Sequence, residues 1–222
     1  MSKVLALVGM GPGVSAAVAR RFGREGYAIA AISRRPETLE EQVAELRSTG
    51  TSAAAYPGNA ADPDGLAATL GRIAADLGTI DVLVYNAAGM RHKPLAQLIA
   101  TELAEDLAIS VVGALAAAQA VLPSMRARRH GSLLFTGGGF ALEPEPDYAT
   151  VGIGKAALRN LTFSLFADLR NTGVHAAMLT IAGFVKPGTA FDPERIADRF
   201  WALHSQPENA FERELVLGSP SS

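Results

Sequence analysis

Residues Val4 to Phe22 read VLALVGMGPGVSAAVARRF. A short apolar, β-branched run meets three glycines, Gly9, Gly11 and Gly13, and then an Ala-rich segment of helical composition. This is a strand, a tight turn and a helix, in which backbone amides at the helix N-terminus can receive a pyrophosphate. A strict GxGxxG spacing fails because Val14 holds its third position; a GxxxGxG register uses Gly9 and Gly13 and puts Ser15 last. Alone, such a loop also reads as a turn that holds no ligand. A secretory signal is a competing reading of the same N-terminus, but Gly11, Pro12 and Gly13 interrupt its apolar run.

Working outward, short apolar runs recur at Ala28–Ile32, Ser52–Tyr56, Ile80–Tyr85, Ser132–Thr136, Val174–Ile181 and Glu214–Leu217, after a first one at Lys3–Val8. Helical stretches lie between them: Val14–Glu25, Pro36–Ser48, Pro63–Leu77, a long one within Pro94–Arg129, Tyr148–Asn171 and Pro193–His204. Strict alternation predicts an α/β fold, a single doubly wound Rossmann-type domain over residues 1–218 with a seven-stranded parallel sheet and helices on both faces. Residues 219–222 read as a disordered tail. Asp62 and Asp192, each before a proline, are expected to cap helices, and Gly50 and Gly173 to end them.

The chain has 222 residues, 49% of them hydrophobic, and a formal net charge of −2. That suits one domain with a sizeable core and leaves no electrostatic footprint for nucleic acid or an anionic membrane. The most basic run, Arg126 to His130, is expected at a solvated helix end. No cysteine is present, which excludes disulfides and thiolate catalysis and is compatible with a cytoplasmic location. His92, His130, His175 and His204 match no metal spacing and are expected as solvated or hydrogen-bonded surface residues. The apolar run from Ser110, SVVGALAAAQAVL, is too short for a bilayer of about 30 Å. No membrane or metal role is expected.

The second strand ends ISRR, so Ser33 stands where dinucleotide folds usually carry an acid for the ribose 2′-hydroxyl, followed by Arg34 and Arg35. A carboxylate repels a 2′-phosphate, whereas guanidinium groups bind it through charge-assisted pairs of roughly 1.5–3 kcal/mol. Two solvated arginines are the plain alternative. Their position favours NADP(H).

Taken in order, these motifs resemble the short-chain dehydrogenase/reductase family over nearly the whole chain. The family's TGxxxGxG corresponds to VGMGPGVS, its Asp–Val pair after the third strand to Asn59-Ala60, its NNAG to YNAAG with Asn86 and Ala87, and its Pro-Gly after the sixth strand to Ala182-Gly183. The resemblance implies cofactor contacts at Gly9, Gly11, Gly13, Val14, Ser33, Arg34, Arg35, Asn59, Ala60, Asn86, Ala87, Lys155 and Gly183. It also implies an Asn, Ser, Tyr and Lys tetrad. In register, these positions hold Ser110, Gly138, Val151 and Lys155, so only the lysine remains. General acid–base catalysis contributes about 10²–10⁴-fold, and a valine has no proton to give.

Tyr148 lies seven residues before Lys155 on the same helical face, about 10 Å along the axis against about 6 Å for the family spacing. Tyr148 is therefore a candidate displaced proton donor beside Lys155, or an aromatic packed at the helix start; Tyr85 is a weaker candidate. Gly137 to Gly139 either offer backbone donors to a substrate oxygen or make room or a turn. The segment between the sixth strand and the last helix is short for a family lid, and Ile196, Ala197, Phe200, Trp201 and Leu203 pattern as core.

Three readings follow: an NADP(H)-dependent oxidoreductase acting on a small carbonyl or alcohol with a non-standard proton donor, a catalytically silent NADP(H)-binding sensor or partner subunit, or a structural oligomer with a vestigial site. The Ala-rich faces of the helices at Ser110–Arg129 and Tyr148–Asn171 suit a homodimer or homotetramer.

Overall fold

Alternation of side chains along the first strand sets both faces of the sheet. In β1 (Lys3–Val8), Val4, Ala6 and Val8 enter one hydrophobic core while Leu5 and Leu7 enter the other. The computed structural model describes residues 3–219, so residues 220–222 of the expected tail lie outside the described residues. β2 (Tyr27–Ser33), β3 (Ala53–Pro57), β4 (Ile80–Tyr85), β5 (Gly131–Gly138), β6 (Val174–Ile181) and β7 (Glu214–Leu217) complete a seven-stranded sheet in the order β3-β2-β1-β4-β5-β6-β7. Every pairing is parallel.

One face is covered by α1 (Val14–Arg24), α2 (Pro36–Ser48) and α7 (Pro193–His204). The other carries α3 (Pro63–Leu77), α5 (Gly113–Arg128) and α6 (Ala149–Asp168), with α4 (Ala100–Leu107) leading into α5. The expected doubly wound α/β architecture is therefore the observed one. Strand order reverses between β1 and β4, and the crevice above their carboxyl ends is where such sheets bind ligands.

Local signals placed several boundaries. The Asp62 carboxylate accepts from the Gly65 amide at 3.1 Å and that of Asp192 from the Glu194 amide at 2.9 Å, capping α3 and α7. Gly50 and Gly173 take φ of 83° and 75°. In α7, Ile196, Ala197, Phe200 and Leu203 are buried, and Trp201 packs against that core.

Three expectations are corrected. First, β5 continues through Gly137 and Gly138, so the glycine run begins as strand, with only Gly139 entering a turn. A Cβ on Gly137 would lie 2.5 Å from the Thr180 hydroxyl on β6, which makes this residue a packing requirement of the sheet. Second, the apolar run from Ser110 belongs to a continuous 29-residue helix, Ala100–Arg128, long and apolar enough by length and composition to cross a membrane. Its inner side packs against α3, β4 and β5, while Val112 and Leu115 stay exposed.

Third, His175 is buried and His204 partly buried. His204 bridges the Tyr27 hydroxyl at 2.7 Å and the Ser132 hydroxyl at 2.8 Å, and burial pushes its pKa down to about 4. His175 lies between the carbonyls of Leu203 and Glu212 and stacks on Phe211 with ring centroids 4.1 Å apart. The basic run Arg126 to His130 is exposed at the C-terminal end of α5, as expected, where Arg128 pairs with Asp81 at 2.7 Å and donates to the Ile80 carbonyl, and Arg126 pairs with Asp168.

Candidate active site

The turn after β1 is built by two neighbouring strand ends. Gly9 has φ of 90°, and a Cβ there would lie 2.5 Å from the Ala87 amide nitrogen. Its own amide and that of Met10 donate to the Ile32 carbonyl at the end of β2, and the Asn86 amide donates to Val8 O. Ser15, at the last position of the glycine pattern, is buried and donates to Gly9 O at 2.7 Å, while Asn86 Nδ2 donates to Ser15 Oγ at 2.8 Å. The clip Asn86–Ser15–Gly9 thus fixes the loop without a ligand. Gly11 and Gly13 differ: a Cβ on either would meet nothing within 4 Å. Protein packing does not demand them, so the open space above them is what a close-approaching group would use. No side chain caps α1, and its first turn has no acidic residue, which leaves an N-terminus suited to an anion.

This loop forms one wall of a cleft of about 330 Å³ at the β1/β4 switch point. Of the expected contacts, the structure brings Gly9, Gly11, Ser33, Arg34, Arg35, Asn59, Ala60, Asn86 and Ala87 to its lining. Gly13 and Val14 stand behind the loop at the start of α1, outside that lining. Arg34 and Arg35 are exposed at the rim. Among the described residues the lining contains no Asp or Glu. The Asn59 carboxamide oxygen accepts from the Ala61 amide, a local turn at the end of β3. Sequence reading missed Thr38, Gln42 and Ile109, which also line the cleft.

Ile109 arrives there through a π-turn, Ala108–Val112, between α4 and α5. Tyr85, fully buried at the end of β4, donates its hydroxyl to the Ile109 carbonyl, and burial raises its pKa well above the phenolic range. That hydroxyl is committed to the π-turn and does not face a substrate. Ser110, in the same turn, accepts from the Gly89 amide at 2.9 Å and pins the loop after β4.

Lys155 is only 8% exposed and donates from Nζ to the Thr136 carbonyl at 2.7 Å. Burial lowers its pKa to about 8. Val151, one turn earlier, is buried, and a Cβ on Gly138 would meet only the Lys155 side chain, at 3.5 Å. The structure does not join Tyr148 to Lys155. The Tyr148 ring sits between His92 and Phe140, with centroids 4.7 and 5.3 Å away, just before α6. Gly183 lies under the Phe191 ring, where any Cβ would collide, so its requirement is a packing one.

The sequence profile of the short chain dehydrogenase family matches residues 3–196. The chain belongs to the short chain dehydrogenase family. Among its relatives, 2,3-dihydro-2,3-dihydroxybenzoate dehydrogenase of Bacillus subtilis (strain 168) is 29% identical over 217 residues, covering 98% of this chain and 78% of the relative. A metagenomic short-chain oxidoreductase solved in complex with NADP is 25% identical, with a TM-score of 0.87 over 96% of both chains. A short chain dehydrogenase from Mycobacterium smegmatis shares the fold at 20% identity, with a TM-score of 0.90 over 100% of this chain and 93% of that one.

In this family member nine of the expected cofactor contacts line one cleft, Gly13, Val14, Lys155 and Gly183 lie outside that lining, and Tyr148 and Lys155 each have other partners. Thr38 and Gln42 were missed because residues on α2 carry no glycine or charge signature. Their spacing of four, on the stripe beside buried Leu39 and Val43, is the signal that locates them.

Proposed function

We propose that this chain is an NADP(H)-dependent oxidoreductase that transfers a hydride to or from a small carbonyl or alcohol substrate, with a proton donor other than a tyrosine at position 151. One observation carries the cofactor assignment: the cleft at the switch point presents Arg34 and Arg35 at the end of β2 and, among the described residues, no carboxylate. Such a rim favours a 2′-phosphate and offers no acid to a free 2′-hydroxyl. The residues present fit the nucleotide in a second respect, since Gly11 and Gly13 leave bare backbone where nothing in the protein needs it. When bound, NADP(H) supplies or accepts the hydride. Gly9, Gly11, Gly13 and the start of α1 at Val14 would hold the pyrophosphate, Ser33, Arg34 and Arg35 the 2′-phosphate, and Asn59 and Ala60 the adenine. Asn86, Ala87, Lys155 and Gly183 would line the nicotinamide end.

Calorimetric titration tests this assignment. NADPH is expected to bind more tightly than NADH, and Arg34→Ala to weaken NADPH by roughly ten-fold or more while changing NADH little. Failure of both nucleotides to bind at millimolar concentration overturns the cofactor assignment.

Val151 and Gly138 favour a second reading, in which the chain binds NADP(H) without turnover as a sensor or partner subunit. Neither residue offers a side-chain proton beside Lys155. The two readings separate on a panel of small aldehydes and ketones with NADPH: oxidation of the nucleotide supports the enzyme, and its absence with a saturated cofactor site supports the silent protein. If turnover is seen, Tyr148→Phe should abolish it should Tyr148 be the donor; unchanged turnover removes that residue. In either case we place the chain in the cytoplasm as a homodimer or homotetramer.

A further inference from the structure

The face that α2 turns to the cleft carries a contact that nothing so far assigns. In PETLEEQVAEL, Leu39, Val43 and Leu46 are buried against the sheet, and Glu37, Glu40, Glu41 and Glu45 are exposed. Thr38 and Gln42 form the stripe between them and are the two α2 residues, besides nothing acidic, that reach the cleft lining. The carboxamide oxygen of Gln42 is buried and has no hydrogen-bond partner. With the oxygen shielded, the NH₂ group is the end of the carboxamide left free to meet a partner in the cleft that Gln42 lines.

The surroundings narrow what that partner is. Arg35 directly precedes α2 as its N-cap, Arg34 stands beside it, and Thr38 lies within the first turn, whose one acidic residue, Glu37, is outside the cleft lining. Asn59, Ala60 and Ile109 come from β3 and the π-turn and form a different part of the lining. A phosphate monoester dianion offers only acceptors, and the Gln42 NH₂ group is a donor.

We infer that Gln42, whose NH₂ group is the accessible end of its carboxamide, donates to the 2′-phosphate of the bound nucleotide beside Arg34, Arg35 and Thr38, and so determines cofactor specificity. This inference rests on the NADP(H) reading above. Gln42→Glu is the sharpest variant, since it keeps the shape but replaces a donor with a charge that repels phosphate and can accept from a ribose hydroxyl.

The test is calorimetric titration of the full chain and of Gln42→Glu and Gln42→Met with NADPH, NADH, adenosine 2′-monophosphate and adenosine 5′-monophosphate. Thermal melts establish that both variants are folded. Gln42→Glu is expected to weaken NADPH and the 2′-monophosphate by roughly ten-fold or more, leaving NADH and the 5′-monophosphate within about two-fold. Gln42→Met should weaken the same two ligands by a smaller factor. Equal losses for phosphorylated and unphosphorylated ligands, or no change in either variant, would overturn the inference while leaving the NADP(H) reading intact. A wild-type chain that does not prefer NADPH overturns that reading and takes the inference with it.

Discussion

Glycines nine and eleven look interchangeable in sequence and are not. Gly9 combines φ of 90° with a Cβ position 2.5 Å from Ala87 N. Gly9→Ala is therefore expected to cost about 2 kcal/mol or more, read as a lowered urea midpoint. Gly11→Ala meets only open space; its urea midpoint should be unchanged within error while nucleotide binding is lost. Lys155 makes a second residue-scale prediction. Its pKa falls from 10.5 to about 8 through burial, so between those values the unfolded chain holds the proton and the folded one does not, and stability rises with pH. The penalty for burying the charge is fully present below about pH 8 and is relieved by about pH 10.5, an effect of up to about 3 kcal/mol. Lys155→Met removes this dependence. Its stability relative to wild type should fall by that order between pH 7 and pH 10.5, measured by denaturant unfolding; parallel curves would contradict the buried, singly bonded ammonium.

At the scale of elements, the most consequential pairing is Tyr85 with the π-turn that carries Ile109 into the cleft. Tyr85→Phe removes the hydroxyl donor from the partly buried Ile109 carbonyl and is expected to cost about 1 kcal/mol. It should also speed amide exchange around residues 108–112 and weaken nucleotide binding without touching the ligand; unchanged exchange there would disprove the coupling. Strand and helix existence was legible from period and punctuation, because glycine, proline and capping aspartate act within a few residues. The π-turn was not, since it depends on a hydroxyl that comes from 24 residues away in sequence. The strand character of Gly137 and Gly138 was hidden for a related reason. Glycine normally weakens a strand, and only the facing Thr180 and Met178 reveal why Gly137 belongs in one. The cofactor loop could be read because its chemistry resides in the backbone, whereas Thr38 and Gln42 become visible only once α2 has a known face.

The whole molecule is held at the end remote from the cleft by a partly buried chain of hydrogen bonds from Tyr27 on β2 through His204 on α7 to Ser132 on β5. Burial lowers the His204 pKa from 6.5 to about 4, so the unfolded chain takes up a proton first as pH falls. Stability from this group is intact above about pH 6.5 and is lost on acidification toward pH 4, by up to about 3 kcal/mol. His204→Gln should flatten that part of the stability profile; an unaltered slope would mean the imidazole titrates normally. The exposed Val112, Leu115 and Ile153 agree with the proposed self-association, for which sedimentation as a monomer at micromolar concentration is the contrary result. The pairing of α1 with α7 has a further consequence, for the order of events at the ribosome. Phe22 and Tyr27 pack on Trp201 and His204, so the part of their sheet face beyond α1 and α2 stays uncovered until the last helix emerges. At about 5–20 residues per second that interval is on the order of ten to thirty seconds. During it, the nascent chain presents an apolar surface that invites chaperone capture, and truncation before Pro193 would make that exposure permanent.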